Sequence, residues 1–234
     1  MHAQTVLILG GTREAAALAR RLQAEQPDWR IIVSLAGRTR APAGMAGEIR
    51  VGGFGGATGL ADYLRAERVT RLIDATHPYA VTISRHAMIA AGEAGIPLEV
   101  RRREAWTRRP GDRWIDVATI GAACNAIPAG ARVFLALGRQ HIAPFAARAD
   151  VFFLIRSVDP LDPPFPGCRT IAGRPGTEDE EAELLTRHAI THVVSRNSGG
   201  EGAYGKIAAA RRLGLPVIMI ARPADAASAA ATGG

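Results

Sequence analysis

The chain has 234 residues, is 47% hydrophobic and 22% charged, and carries a net charge of +7, enough for one large domain or two small ones with a substantial core. No apolar run is long enough to span a bilayer. The two cysteines, Cys124 and Cys168, have neither CxxC nor metal-ligand spacing, so they read as small buried hydrophobes in a reduced protein without a disulfide framework and without a metal site.

The first expected element is a buried strand near 5–10. Its start by Val6 leaves no room for a signal peptide, so a cytoplasmic location is expected. Val6-Leu7-Ile8-Leu9 runs into Gly10-Gly11-Thr12-Arg13-Glu14 and a helix near 13–25, with Ala15, Leu18, Ala19 and Leu22 on one face. Glycine lets the backbone approach a pyrophosphate, and a helix N-terminus offers free N–H groups and the positive end of its dipole. The third glycine of G-x-G-x-x-G is missing, and a tight turn in any α/β protein has the same look. Its place after the first strand favours a nucleotide site, with Gly10, Gly11, Thr12 and Arg13 touching the cofactor.

The second strand, near 30–36, ends without the Asp or Glu that an NAD site would place there. Ser34, Arg38 and Thr39 suit a 2′-phosphate instead, the NADP arrangement, while Arg40 fits a solvated basic loop equally well. After a third strand near 48–51 comes Gly52-Gly53-Phe54-Gly55-Gly56. Its glycines permit close backbone contact with a flat or anionic ligand, or form a flexible turn ahead of the helix near 58–67. A fourth strand near 69–75 ends in Asp74-Ala75-Thr76-His77-Pro78-Tyr79-Ala80, with Pro78 suited to the first turn of a helix near 80–94. If this strand lies beside the first, Thr76 and His77 face the nicotinamide end of a cofactor. Otherwise His77 bonds the local backbone, and Asp74 caps the helix or braces the loop. A fifth strand falls near 96–101.

Residues 102–116 look irregular, and the domain boundary is expected there, with residues 1–112 forming the NADP-binding domain and 113–234 the substrate domain. In the second half the strands end in arginine: Leu137-Gly138-Arg139, Ile155-Arg156, Ser195-Arg196 and Ala221-Arg222. Ligands of open α/β sheets bind beyond the carboxyl ends of strands, and arginine's planar fork pairs with carboxylates and phosphates. Of 29 basic residues only Lys206 is lysine, so arginine at such boundaries also reflects composition. The basic residues are dispersed, aromatics are few and no nucleic-acid motif occurs, which favours a small anion over nucleic acid or a membrane surface. Thr177-Glu178-Asp179-Glu180 matches a capping box opening a helix to about His188. A further helix covers about 203–213, with Gly214 past its end. Prolines stiffen 159–167, and the tail 224–234 is expected to be disordered. Alternating strands and helices imply an α/β protein of two Rossmann-like domains, each with a mostly parallel sheet.

Together these segments resemble the precorrin-6A reductase family of cobalamin biosynthesis. The resemblance rests on Gly10-Gly11-Thr12-x-Glu14, Gly52-Gly53-Phe54-Gly55-Gly56 and Asp74-Ala75-Thr76-His77-Pro78-Tyr79-Ala80. It continues through Arg103-x-x-Trp106, Leu137-Gly138-Arg139-Gln140, Arg196-Asn197-Ser198-Gly199-Gly200 with Lys206, and Ile220-Ala221-Arg222-Pro223, covering about residues 5–223. Arg196 stands where relatives often carry lysine. The resemblance implies an NADPH-dependent oxidoreductase whose active site lies between the two domains. It would reduce one double bond of a tetrapyrrole macrocycle bearing many carboxylates, giving precorrin-6B, or the cobalt-containing counterpart of the anaerobic pathway. On this reading His77 and Tyr79 are the candidate proton donors, beside ordered water. Arg139, Gln140, Arg156, Arg196, Asn197, Ser198, Gly199, Gly200 and Lys206 are the substrate candidates. The Ser195–Gly200 turn would offer its N–H groups as an anion nest, and Gly138-Arg139 would serve an interdomain salt bridge as readily. Neither flavin nor metal is required. Transient contact with neighbouring pathway enzymes fits such a role. The alternatives are a non-catalytic NADP-binding regulator and an RNA-binding adaptor. A short-chain-type reductase is disfavoured because Tyr63, Tyr79 and Tyr204 each lack lysine four residues on.

Overall fold

A computed structural model describes residues 4–36, 46–158 and 160–223. Arg38, Thr39, Arg40 and the 224–234 tail lie outside the described residues. The chain divides into two compact bodies, the second running from Glu104 to Arg222. That division falls ahead of the expected boundary at 112, because the Trp106 side chain is buried in the core of the second body.

The first body contains β1 (Thr5–Leu9), α1 (Arg13–Glu25), β2 (Arg30–Leu35), β3 (Glu48–Val51), α2 (Ala57–Ala66), β4 (Arg71–Asp74), α3 (Val81–Ala94) and β5 (Leu98–Val100). Its strands form one parallel sheet in the order β3-β2-β1-β4-β5. Alternation along β1 explains the layering. Val6 and Ile8 join Ala15, Leu18 and Ala19 of α1 on one face, while Leu7 and Leu9 join Leu60, Leu64, Ala87 and Ala90 of α2 and α3 on the other. The order reverses between β1 and β4, where an open sheet leaves a crevice at its carboxyl edge.

The second body contains β6 (Trp114–Val117), α4 (Ile120–Asn125), β7 (Arg132–Ala136), β8 (Phe152–Ser157), β9 (Cys168–Ala172), α5 (Glu178–Arg187), β10 (His192–Arg196), α6 (Gly205–Arg212) and β11 (Val217–Ile220). Its sheet is also parallel, in the order β6-β11-β10-β7-β8-β9, and here the reversal lies between β7 and β10. The capping box forms: Thr177 Oγ1 accepts from the Glu180 N–H while the Glu180 carboxylate accepts from the Thr177 N–H. Gly214 takes the left-handed conformation past α6, with φ +66°. Three elements escaped the sequence pattern. Strands β6 and β9 are half-exposed edges without a continuous apolar run, and α4 has only 6 residues, too short to display a helical period.

Candidate functional site at the carboxyl edges of the sheets

In the first body the β1–α1 turn stands at the switch point. The Gly10 N–H donates to the Ser34 carbonyl at 2.9 Å, and a Cβ on Gly10 would meet Val33 Cγ1 at 3.0 Å, so the turn lies flat against β2. Gly11 has φ +103° and nothing within 4 Å of where its Cβ would be, leaving its backbone open to a ligand. Thr12 is the N-cap of α1. Its Oγ1 accepts from the Ala15 N–H and donates to the Ala75 carbonyl, both at 3.0 Å, tying the turn to the end of β4. Arg13 is exposed, and Glu14 pairs with Arg103 at 3.2 Å.

Beyond β4, Asp74 is 2% exposed. Its Oδ1 accepts from the Thr76 N–H at 3.1 Å and from Thr76 Oγ1 at 2.6 Å, so Asp74 braces the loop. His77 Nδ1 accepts from the Tyr79 N–H at 3.3 Å, which assigns the proton of the neutral ring to Nε2. The two rings lie 5.6 Å apart. His77 therefore does bond local backbone, through the nitrogen that a proton donor would not use.

The glycine-rich turn after β3 has an organiser that the sequence reading missed. Arg50 donates to the Gly52 and Gly53 carbonyls at 2.6 Å each, and to Ser34 Oγ at 3.3 Å. Its guanidinium lies over Phe54 at 3.7 Å and over Tyr63 at 5.0 Å, and burial raises the Tyr63 phenol above its ordinary value. A Cβ on Gly59 would stand 1.8 Å from the Phe54 carbonyl oxygen, so glycine there lets the turn seat on α2. Gly52, Gly53, Gly55 and Gly56 all border open space. Gly11 and the glycines of this turn stand at the carboxyl ends of β1 and β3, with nothing among the described residues within 4 Å of where a Cβ on Gly11, Gly52, Gly53, Gly55 or Gly56 would be.

In the second body, the expected substrate residues divide. Arg139 and Gln140 are exposed just past β7, and Arg196 is half-buried at the end of β10; these strands flank the switch point. Arg156 instead gives both terminal nitrogens to Glu181, at 2.5 and 2.9 Å. Glu181 is fully buried and also accepts from the Gly176 N–H at 2.7 Å.

The 195–200 turn is not an anion nest at its start. The Asn197 N–H donates to the Ile220 carbonyl at 3.0 Å and the Ser198 N–H to the Arg196 carbonyl at 2.8 Å, because the turn closes against β11. The Asn197 side chain grips the Trp106 backbone, accepting from its N–H at 2.7 Å and donating to its carbonyl at 2.9 Å. Trp106 Nε1 donates to the Gly200 carbonyl at 2.7 Å. Gly199, at φ +67°, sits so close to Glu104 that a Cβ would lie 1.8 Å from the Glu104 carbonyl oxygen. Ser198 is buried, its Oγ 3.4 Å from the Arg196 carbonyl. Lys206 is 5% exposed, donates to the Ala203 carbonyl at 2.6 Å, and lies 4.9 Å from the Trp106 ring. Asn197, Gly199, Gly200 and Lys206 thus hold the segment that opens the second body.

Comparison with known proteins gives the family. The family model described as precorrin-6x reductase CbiJ/CobK matches residues 5–233. The chain belongs to this family. A precorrin-6A reductase of Rhodobacter capsulatus is 48% identical over 223 residues, covering 94% of this chain and 88% of that protein. A cobalt-precorrin-6A reductase of Salmonella typhimurium is 28% identical over 235 residues, covering 95% and 89%. The solved structure titled CobK precorrin-6A reductase superposes with a TM-score of 0.89 at 46% identity, covering 94% of this chain and 89% of that one.

As a precorrin-6x reductase family member, the chain pairs an oxidoreductase assignment with a Rossmann-like sheet that has its Gly10–Gly11 turn at the switch point. Among the described residues, no group of three or more His, Cys, Asp or Glu could hold a metal ion, and no helix is long and apolar enough to cross a membrane.

Proposed function

We propose that the protein reduces one carbon–carbon double bond of cobalt-free precorrin-6A to precorrin-6B, using NADPH. The observation that carries the reading is the family match across residues 5–233, joined to an open glycine turn at the switch point of a parallel sheet. The cobalt-free substrate is favoured by the difference between 48% and 28% identity to relatives named for the two substrates.

The Gly10–Gly11 turn and the N-terminus of α1 take the pyrophosphate through backbone N–H groups. NADPH supplies a hydride when bound. The chain's own contribution is orientation: Asp74 fixes Thr76, and Thr12 fixes the end of β4, so the 76–79 loop keeps one shape beside the reacting rings. His77 Nε2–H, or the Tyr79 hydroxyl, delivers a proton to the carbon next to the one reduced. Arg139, Gln140 and Arg196 receive substrate carboxylates at the switch point of the second sheet. Arg38 and Thr39 add to the 2′-phosphate site, with Ser34 at its floor. The free thiols of Cys124 and Cys168 suit a reducing compartment such as the cytoplasm.

The test is anaerobic mixing with NADPH and either metal-free or cobalt-containing precorrin-6A, followed by absorbance. NADPH oxidation coupled to the spectral change of the metal-free macrocycle is expected. Turnover confined to the cobalt complex would reverse the substrate assignment, and no turnover with either would refute the reading.

A further inference from the structure

Arg50 uses only part of its guanidinium on the protein. The end-on pair, Nη1 and Nη2, grips the Gly52 and Gly53 carbonyls, and Nη1 also reaches Ser34 Oγ. The side-on pair, Nε and the second Nη2 hydrogen, has no hydrogen-bond partner among the described residues. Phe54 covers the group at 3.7 Å, so the fork is held flat rather than swinging in solvent. A rigid, half-buried cation with an open fork is the geometry that binds a phosphate through two oxygens.

Its position supplies the ligand. The Gly10 N–H bonds the Ser34 carbonyl, and Ser34 Oγ accepts from Arg50, so the phosphate-accepting turn, Ser34 and Arg50 lie on three successive strands. Two strand spacings are about 9–10 Å, the reach from a pyrophosphate across the ribose it carries. The surrounding Gly52, Gly53 and Gly55 leave open space for that sugar. We propose that Arg50 is a specificity residue of the cofactor site, its side-on fork taking the 2′-phosphate of NADPH with Ser34 beside it. This rests on the NADPH reading above. Arg50 separates the two cofactors because NADH presents only a hydroxyl there, which cannot engage the fork as an anion.

The test is titration of NADPH and NADH against wild-type, Arg50→Gln and Arg50→Lys proteins, read by nicotinamide fluorescence without substrate. Circular dichroism establishes folding beforehand. Loss of a charge-assisted bidentate contact predicts NADPH binding weakened about 10–100-fold in Arg50→Gln, with NADH changed by less than about 3-fold. Arg50→Lys falls between, since an ammonium keeps the charge without the fork, and it carries the test alone if glutamine unfolds the turn. In wild type, 2′,5′-ADP displaces NADPH more strongly than 5′-ADP does. Equal losses for both cofactors, or undiminished NADPH binding, would overturn the role of Arg50 while leaving the cofactor reading intact. Wild-type protein that binds NADH as tightly as NADPH, or binds neither, would overturn both.

Discussion

Replacing Glu181 isolates what Arg156 does. The carboxylate is fully buried and accepts three hydrogen bonds, two from Arg156 and one from the Gly176 N–H. Glu181→Gln preserves volume but leaves Arg156, 13% exposed, without a counterion. Breaking a buried pair from one side costs about 3–5 kcal/mol. The lower end, about 3 kcal/mol, applies here, because the glutamine carbonyl still accepts one bond and the arginine keeps an edge in water. Removing both charges in Arg156→Met/Glu181→Leu fills the same space above Phe134, which the guanidinium overlies at 5.0 Å, with apolar atoms. That double variant should lie within about 1–2 kcal/mol of wild type. Urea unfolding followed by circular dichroism measures both, and the reductase assay supplies KM for the macrocycle. A brace predicts recovered stability and an unchanged KM in the double variant. A double variant as unstable as the single one refutes the energetic argument. Recovered stability with a tenfold higher KM would instead return Arg156 to the substrate site.

Asn197→Ala removes both hydrogen bonds to the Trp106 backbone and should destabilise the second body by about 2–4 kcal/mol. The measurement is hydrogen exchange at Trp106 together with the urea midpoint; unchanged protection would show that the segment is held by packing alone. Stability should also fall as the solution is acidified. Burial, followed by repulsion from Arg169, Arg187 and Arg132, lowers the His188 pKa below the ordinary 6.5. Burial, then Arg113, does the same for His192. The unfolded chain therefore binds more protons than the folded one below about pH 6.5, and stability is lost as pH falls through the lowered folded values. The midpoint of thermal unfolding between pH 8 and 5 should follow this, and His188→Gln/His192→Gln should flatten it; an unaltered slope would remove both histidines from the account.

The fold was legible where local pattern determines it. Val6-Leu7-Ile8-Leu9 can bury both faces only inside a parallel sheet, and Thr177 with Glu180 marks the start of α5 by itself. Strands β6 and β9 were not legible, because an edge strand with one wet face carries Trp114, Asp116, Arg169 and Thr170 in no tell-tale rhythm. The same division runs through the site. Gly10, Gly11, Thr76 and His77 stand where strand order predicted, since β4 does pair with β1. Asn197 looked like part of an anion-binding turn. Its partner is Trp106, 91 residues away, and no local pattern announces such a contact. Lys206 likewise lies buried near that tryptophan, a contact its place in the sequence does not announce. Arg50 stands in β3 and not at the end of the second strand, where the residue that reads a cofactor ribose is ordinarily met. A basic residue preceding four glycines around one aromatic was the available signal.

Asn197 carries a second duty through its main chain: its carbonyl accepts from Arg222 Nε at 2.8 Å. The same residue that grips Trp106 near the start of the second body thus also fastens its last residue. At Gly199 an added Cβ would stand 2.4 Å from Arg222 Nη2, as well as against Glu104. The two ends of this lobe are stitched together at one point, like the mouth of a pouch. A side chain at position 199 would therefore push on both ends of the 104–222 segment at once, against the Glu104 carbonyl and the Arg222 guanidinium.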